Sequence, residues 1–202
     1  MTRTAAVERV TRETNVNVTL TLDGTGKADV STGIGFLDHL IETLARHAGF
    51  DVTLACRGDL RVDDHHSAED CALVFGEALD RTLGERRGIA RFGSAFAPLD
   101  EALARAVVDL SGRPYSSVDL GLRRESIGGL ACESVAHVLR SLAVAARLTL
   151  HVDVLRGEND HHRAEAAFKA VALALRQAVA RSAGGGDDVP STKGTLGAPR
   201  DG

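Results

Sequence analysis

The chain has 202 residues, 44% apolar and 26% charged, with a net charge of −4 and a pI near 6.1, which suits one sizeable domain or two small fused halves. With 3% aromatic residues and no basic surplus it lacks the makings of a nucleic-acid surface. No apolar run approaches the roughly 20 residues of a membrane span, and the start, Met1-Thr2-Arg3, lacks the apolar core of a secretion signal, so a cytoplasmic location is expected. Cys56, Cys71 and Cys132 are odd in number, are never spaced as Cys-x-x-Cys and lie in apolar segments. Buried reduced thiols are therefore expected.

Polar and apolar residues alternate over Asn15–Leu22, the period of a half-buried strand. Asp23-Gly24-Thr25-Gly26 predicts a turn and Lys27–Ser31 a returning second strand. A helix follows from about Phe36 to His47, with Leu37, Leu40, Ile41, Leu44 and Ala48 as its apolar stripe and Gly49 as its stop. Phe50–Cys56 alternates again as a strand, and a second helix runs through Cys71, Val74, Phe75, Ala78 and Leu79 to about Leu83. After a segment expected to be exposed, Glu85-Arg86-Arg87-Gly88, the pattern restarts. Strands are predicted over Ala95–Leu99, Ala102–Leu110 and Tyr115–Leu120, a helix over Leu130–Ala143, a strand over Arg147–Val154 and a last helix to about Arg181.

Both halves therefore carry strands, a helix, a strand and a further helix. Each final helix opens on a related motif, Asp64-His65-His66-Ser67-Ala68-Glu69-Asp70 and Asp160-His161-His162-Arg163-Ala164-Glu165-Ala166. His39 and His137 also fall at equivalent places, giving an internal duplication of about 95 residues. The expected architecture is α+β: two duplicated half-domains, about 1–88 and 89–183, related by a pseudo-twofold axis with their helices packed together between sheets. The glycine-rich stretch 184–202 is expected to be a flexible tail.

The motif reads as a duplicated metal-binding unit. On a helix, residues three and four apart share a side, so Glu69 can meet His65 or His66, and Glu165 can meet His161 or His162. Adjacent histidines diverge by about 100° and would serve two different ions. Mixed histidine and carboxylate donors suit Mn, Fe, Co, Ni or Zn better than Ca or Mg. If the halves pack face to face, the motifs can jointly complete two metal spheres, with His39 and His137 as further ligands or as hydrogen-bonded core histidines. Arg91 and Arg113 sit at turns before strands, as surface residues or as contacts to an anion. Ser191 and Lys193 belong either to a frayed terminus or to a segment that closes over an anionic ligand.

Familiar signatures fail. Gly24-Thr25-Gly26-Lys27 lacks the following Ser or Thr of a phosphate loop, Gly33-Ile34-Gly35 lacks a third glycine, and His-Glu-x-x-His is absent. What the chain does resemble, from Arg12-Glu13-Thr14 to Ser191-Thr192-Lys193-Gly194, is the imidazoleglycerol-phosphate dehydratase family. The resemblance runs through Thr32-Gly33-Ile34-Gly35-Phe36-Leu37-Asp38-His39, both histidine motifs and Asp109-Leu110-Ser111-Gly112-Arg113-Pro114-Tyr115. Departures are Leu40 and Leu99, where many members have Met, and Thr43, where Gln is frequent.

The resemblance implies a lyase of histidine biosynthesis that dehydrates imidazole glycerol phosphate to imidazole acetol phosphate. It implies two Mn ions per active site, with other divalent transition metals admissible. It also implies self-association to a homo-oligomer of twenty-four subunits, with sites at subunit contacts. Carried over, the metal ligands are His39, His65, His66, Glu69, His137, His161, His162 and Glu165. Glu13, Glu69 and Glu165 are the catalytic carboxylates. Arg91, Arg113, Lys169, Ser191, Thr192 and Lys193 lie around the phosphate, and Glu13, His39, His65 and His161 meet the rest of the substrate.

Overall fold

The computed structural model describes residues 2–182 and 187–196. The first half comprises β1 (Thr4–Val10), β2 (Thr14–Thr21), β3 (Ala28–Ser31), α1 (Gly35–Ala48), β4 (Asp51–Gly58) and α2 (His65–Leu83). The second comprises β5 (Phe92–Leu99), β6 (Ala102–Asp109), β7 (Tyr115–Asp119), the two-residue strands β8 (Ser126–Ile127) and β9 (Leu130–Ala131), α3 (Cys132–Ala145), β10 (Thr149–Arg156) and α4 (Asp160–Val179).

Two four-stranded sheets result, ordered β1-β2-β4-β3 and β5-β6-β10-β7. Their plan is the same: a hairpin, an antiparallel third strand, and a fourth strand paired parallel to the third. Parallel neighbours need a crossover, and α1 and α3 supply it. The segment before α1 therefore does not return against β2 as the turn at Asp23–Gly26 suggests. Both edges of β2 are taken by β1 and β4, so β3 lies outside β4. β1 itself gave no alternating signal, because only Val7 along it is buried.

α1 and α2 rest on the first sheet and α3 and α4 on the second. Between the sheets the helices pair across halves, α1 with α4 and α2 with α3. Leu37, Leu40 and Leu44 of α1 and Phe168, Val171 and Leu175 of α4 are almost wholly removed from water, as are Leu20 and Leu54 beneath them. Each such side chain contributes roughly 1.5–3 kcal/mol through burial. Cys56, Cys71 and Cys132 are buried free thiols. Among the described residues no helix is long and apolar enough to cross a membrane.

The layers touch through glycine. A Cβ on Gly93 of β5 would sit 1.9 Å from the carbonyl oxygen of Ala174 in α4. Backbone would have to move from backbone, so Gly93→Ala is expected to lower stability by at least about 1–3 kcal/mol, read as a shift in the denaturation midpoint at unchanged slope. An unchanged midpoint would mean that sheet and helix separate freely.

One expectation is reversed in the connection between the halves. Arg86, placed in an exposed segment by its charged neighbours, is 2% exposed. Its guanidinium donates to Asp80 Oδ1 at 2.6 Å and to the Ala146 carbonyl at 3.0 Å, joining the end of α2 to the end of α3. The turn that aims it inward follows Gly84, whose φ is +55°.

Candidate metal centres

Each histidine motif begins a helix because an Asx side chain captures its free amides. Asp63 Oδ1 accepts the His65 N–H at 2.9 Å, and Asn159 Oδ1 accepts that of His161 at 2.9 Å. Asp64 and Asp160 then tie the helix starts to the opposite half or to a nearby loop. Asp64 Oδ2 accepts the Ala131 N–H at 2.8 Å, just before α3. Asp160 Oδ2 accepts those of Arg123 and Arg124 at 2.8 and 2.7 Å. Asp38 at the start of α1 accepts from the Thr32 amide and hydroxyl. The histidine rings are thus carried on regular helices with fixed beginnings.

Because the helices pair across halves, so do their donors. His39 of α1 meets His161 and Glu165 of α4; His137 of α3 meets His65 and Glu69 of α2. Within each trio one ligand atom per residue lies within 4.8 Å of the others. His39 Nε2 is 3.1 Å and His161 Nε2 3.3 Å from Glu165 Oε2. His137 Nε2 is 3.0 Å from Glu69 Oε1, and His65 Nε2 is 3.9 Å from Glu69 Oε2. Two imidazoles and one carboxylate converging in this way match the donor chemistry of a borderline divalent ion, with coordination positions left for further ligands.

The clusters are not identical. Lys169, one turn beyond Glu165, donates to Glu165 Oε1 at 2.8 Å, whereas Leu73 stands one turn beyond Glu69. Burial pushes the Glu165 carboxyl up, but hydrogen bonds from Lys169 and His39 outweigh it and hold the pKa at about 2. Glu165 is therefore ionised throughout the ordinary pH range and available as an anionic ligand.

His66 and His162 stand apart from both trios within the chain. The His65 and His66 rings are 6.1 Å apart at 76°, and those of His161 and His162 are 6.2 Å apart at 90°. This is the divergence that adjacent helical positions impose. His66 turns its Nδ1 to Asp59 and His162 its Nδ1 to Glu101, and each carboxylate raises its histidine's pKa through that hydrogen bond. The sequence reading missed both carboxylates, which lie in loops with no helical spacing to their histidines. Glu13, in the β1–β2 turn, places its Oε1 3.8 Å from His66 Nε2.

The residues expected around a phosphate form two groups. Lys169 belongs to the Glu165 cluster. Arg91 lies at the other end of α4, where its N–H donates to the Ala178 carbonyl. Its guanidinium is held by Asp109 at 2.7 and 3.1 Å, by the Pro190 carbonyl at 2.8 Å and over the Phe92 ring at 4.5 Å. Pro190 brings Ser191, Thr192 and Lys193 to the same end, where Thr192 and Lys193 are exposed. Arg113 is exposed in the turn after β6, near Tyr115, which pairs with Thr149 opposite Asp109. From Glu165 to Ala178 the helix rises roughly 20 Å. The predicted flexible stretch 184–202 falls partly outside the described residues.

Fold and site together define a duplicated α+β protein with two cross-half His₂Glu clusters of the transition-metal type. The family model for imidazoleglycerol-phosphate dehydratase matches residues 32–175, and the chain belongs to that family. An imidazoleglycerol-phosphate dehydratase from Eremothecium gossypii is 54% identical over 96% of this chain and 98% of its own length. One from Phytophthora nicotianae is 60% identical over 96% of this chain but 42% of its own greater length. Among solved structures, the imidazoleglycerol-phosphate dehydratase of Staphylococcus aureus superposes with a TM-score of 0.80 at 35% identity, covering 89% of this chain and 99% of that one. The Pyrococcus furiosus structure, in complex with (S)-C348, gives 0.80 at 37% identity, covering 94% and 100%.

Proposed function

We propose that this protein dehydrates D-erythro-imidazole glycerol phosphate to imidazole acetol phosphate in histidine biosynthesis, with two divalent ions, Mn by preference, at each site. The observation that carries the reading is the pair of His₂Glu trios, each drawn from both halves of a chain in this family. The proton to be lost lies beside a hydroxyl and not beside a carbonyl, so no enolate can form, and the imidazole must act as the electron relay. Divalent ions held by these histidines and glutamates would supply Lewis acidity and a template for the imidazole.

The chain's own residues do the rest. His39, His161 and Glu165 would hold one ion and His65, His137 and Glu69 the other, with His66 and His162 completing the shells from a neighbouring copy. Glu13 would move a proton at the reacting carbon. Lys169 and the Arg91, Arg113, Ser191, Thr192 and Lys193 group would fix the phosphate and so orient the carbons. The roughly 20 Å between that group and Glu165 is too long for one small substrate, which favours sites shared between copies. This reading takes the chain as one cytoplasmic domain of two repeats, about 1–88 and 89–183, assembled to twenty-four copies.

The test is to give Mn-loaded protein imidazole glycerol phosphate and follow the products by mass spectrometry, with a chelated control sized by light scattering. A product lighter by one water, lost on chelation together with the large particle, is the expected result. Intact substrate at full metal occupancy would overturn the reading, and release of inorganic phosphate would mark a phosphohydrolase instead.

A further inference from the structure

His66 and His162 occupy the same place in their motifs, and each turns Nδ1 onto a carboxylate outside the two trios. His66 Nδ1 lies 3.2 and 3.1 Å from the Asp59 oxygens, and His162 Nδ1 lies 2.7 Å from Glu101 Oε2. An ionised carboxylate only accepts hydrogen bonds. In both rings Nδ1 therefore carries a proton, so the neutral ring that ligates a metal keeps its lone pair on Nε2.

These two carboxylates are not each other's counterparts. β2 begins at Thr14 and β6 at Ala102, each directly after a glutamate, Glu13 or Glu101. Thr14 pairs with Gly58 and Leu103 with Arg156, so the repeat aligns Glu101 with Glu13 and Asp59 with Glu158. In the first half the main chain pins the loop after β4: the Asp59 N–H donates to the Glu13 carbonyl at 3.1 Å. In the second half a side chain does so, as Glu101 Oε1 accepts from the Glu158 and Asn159 amides at 3.1 and 2.9 Å. Glu101 is thus fully engaged by His162 and the loop. The Glu13 carboxylate makes no hydrogen bond among the described residues, because Asp59 holds His66 in its stead.

We propose that Asp59 and Glu101 are positioning residues that fix His66 and His162 in the tautomer whose Nε2 ligates a divalent ion, and that this division leaves Glu13 free in one half alone. The inference rests on the metal reading above. Carboxylates behind metal-bound histidines set ring orientation and ligand basicity, and their loss weakens metal binding by about 10–100-fold.

The experiment is a calorimetric titration of metal-free protein with Mn²⁺, with bound metal counted per chain, for wild type, Asp59→Ala and Glu101→Gln. In Glu101→Gln the amide oxygen is claimed by the two backbone N–H groups, so the NH₂ faces His162 Nδ1 and drives the ring proton onto Nε2. Asp59→Ala removes the acceptor of His66 and no other side-chain hydrogen bond among the described residues, so it keeps the test decisive if Glu101→Gln fails to fold. The expected result is that each variant binds one of the two ions about 10–100-fold more weakly and the other as wild type does. Wild-type affinity for both ions in both variants overturns the inference, as does equal weakening of the two. A wild type that takes up no Mn²⁺ overturns the metal reading itself.

Discussion

Replacing Glu13 by glutamine is expected to lower kcat by about 10²–10⁴-fold while metal content and folded structure are retained. The main chain at this turn is well held: the Glu13 N–H donates to Thr11 Oγ1 at 3.1 Å, and its carbonyl accepts from Asp59. The glutamine variant keeps both bonds. What it loses is the ionisable carboxyl, which is half exposed and has its Oε1 3.8 Å from His66 Nε2. A half-exposed carboxyl beside an imidazole can exchange a proton with a bound substrate and with water afterwards. Steady-state rates, paired with metal analysis of the same samples, make the check. Full turnover in the variant would remove Glu13 from the proton-transfer step.

The second large effect concerns stability. Arg86→Met should lower the unfolding free energy by about 3–5 kcal/mol, because it takes a guanidinium away from a carboxylate that sits at 12% side-chain exposure. The bond to the Ala146 carbonyl is lost with it, so α2 and α3 would part at the ends farthest from the histidines. Adding Asp80→Asn to Arg86→Met should recover part of the loss, since the carboxylate charge that faced Arg86 is then gone. Denaturation at fixed subunit concentration and saturating Mn²⁺ keeps assembly and metal binding from entering the comparison. A single variant within 0.5 kcal/mol of wild type, roughly the scatter of ordinary surface changes, would mean that Asp80 is stabilised by other neighbours.

The parts of the fold that were legible are those where one face is wet and the other dry. β2 alternates buried and exposed residues along its whole length, and α1 buries a continuous stripe, so period alone located both. β1 was silent because a single residue of it is buried, and its place depends on pairing with β2. The burial of Arg86 was illegible in the same way: its charge is stabilised by Asp80, which approaches only after α2 has formed and the chain has turned. At the site, doubling of the motif singled out the histidines and glutamates that the fold gathers into two trios, and the 100° between adjacent positions separated His65 from His66. Spacing along one helix could not say which helix supplies the third donor. That depends on α1 meeting α4 and α2 meeting α3, a fact of packing. Asp59 and Glu101 were hidden for the same reason, reaching their histidines from loops.

The different employment of Glu13 and Glu101 bears on why the repeat is carried in one polypeptide. Two separate half-length chains from a single reading frame would be identical, so a change that recruited the turn glutamate to brace a histidine would strike both subunits at once and leave no spare acid. Joining the copies end to end lets each position drift on its own. The twofold plan of the sheets survives that drift, while the two turns come to differ: one glutamate braces a loop and a histidine, and the other keeps a carboxylate without a hydrogen bond among the described residues.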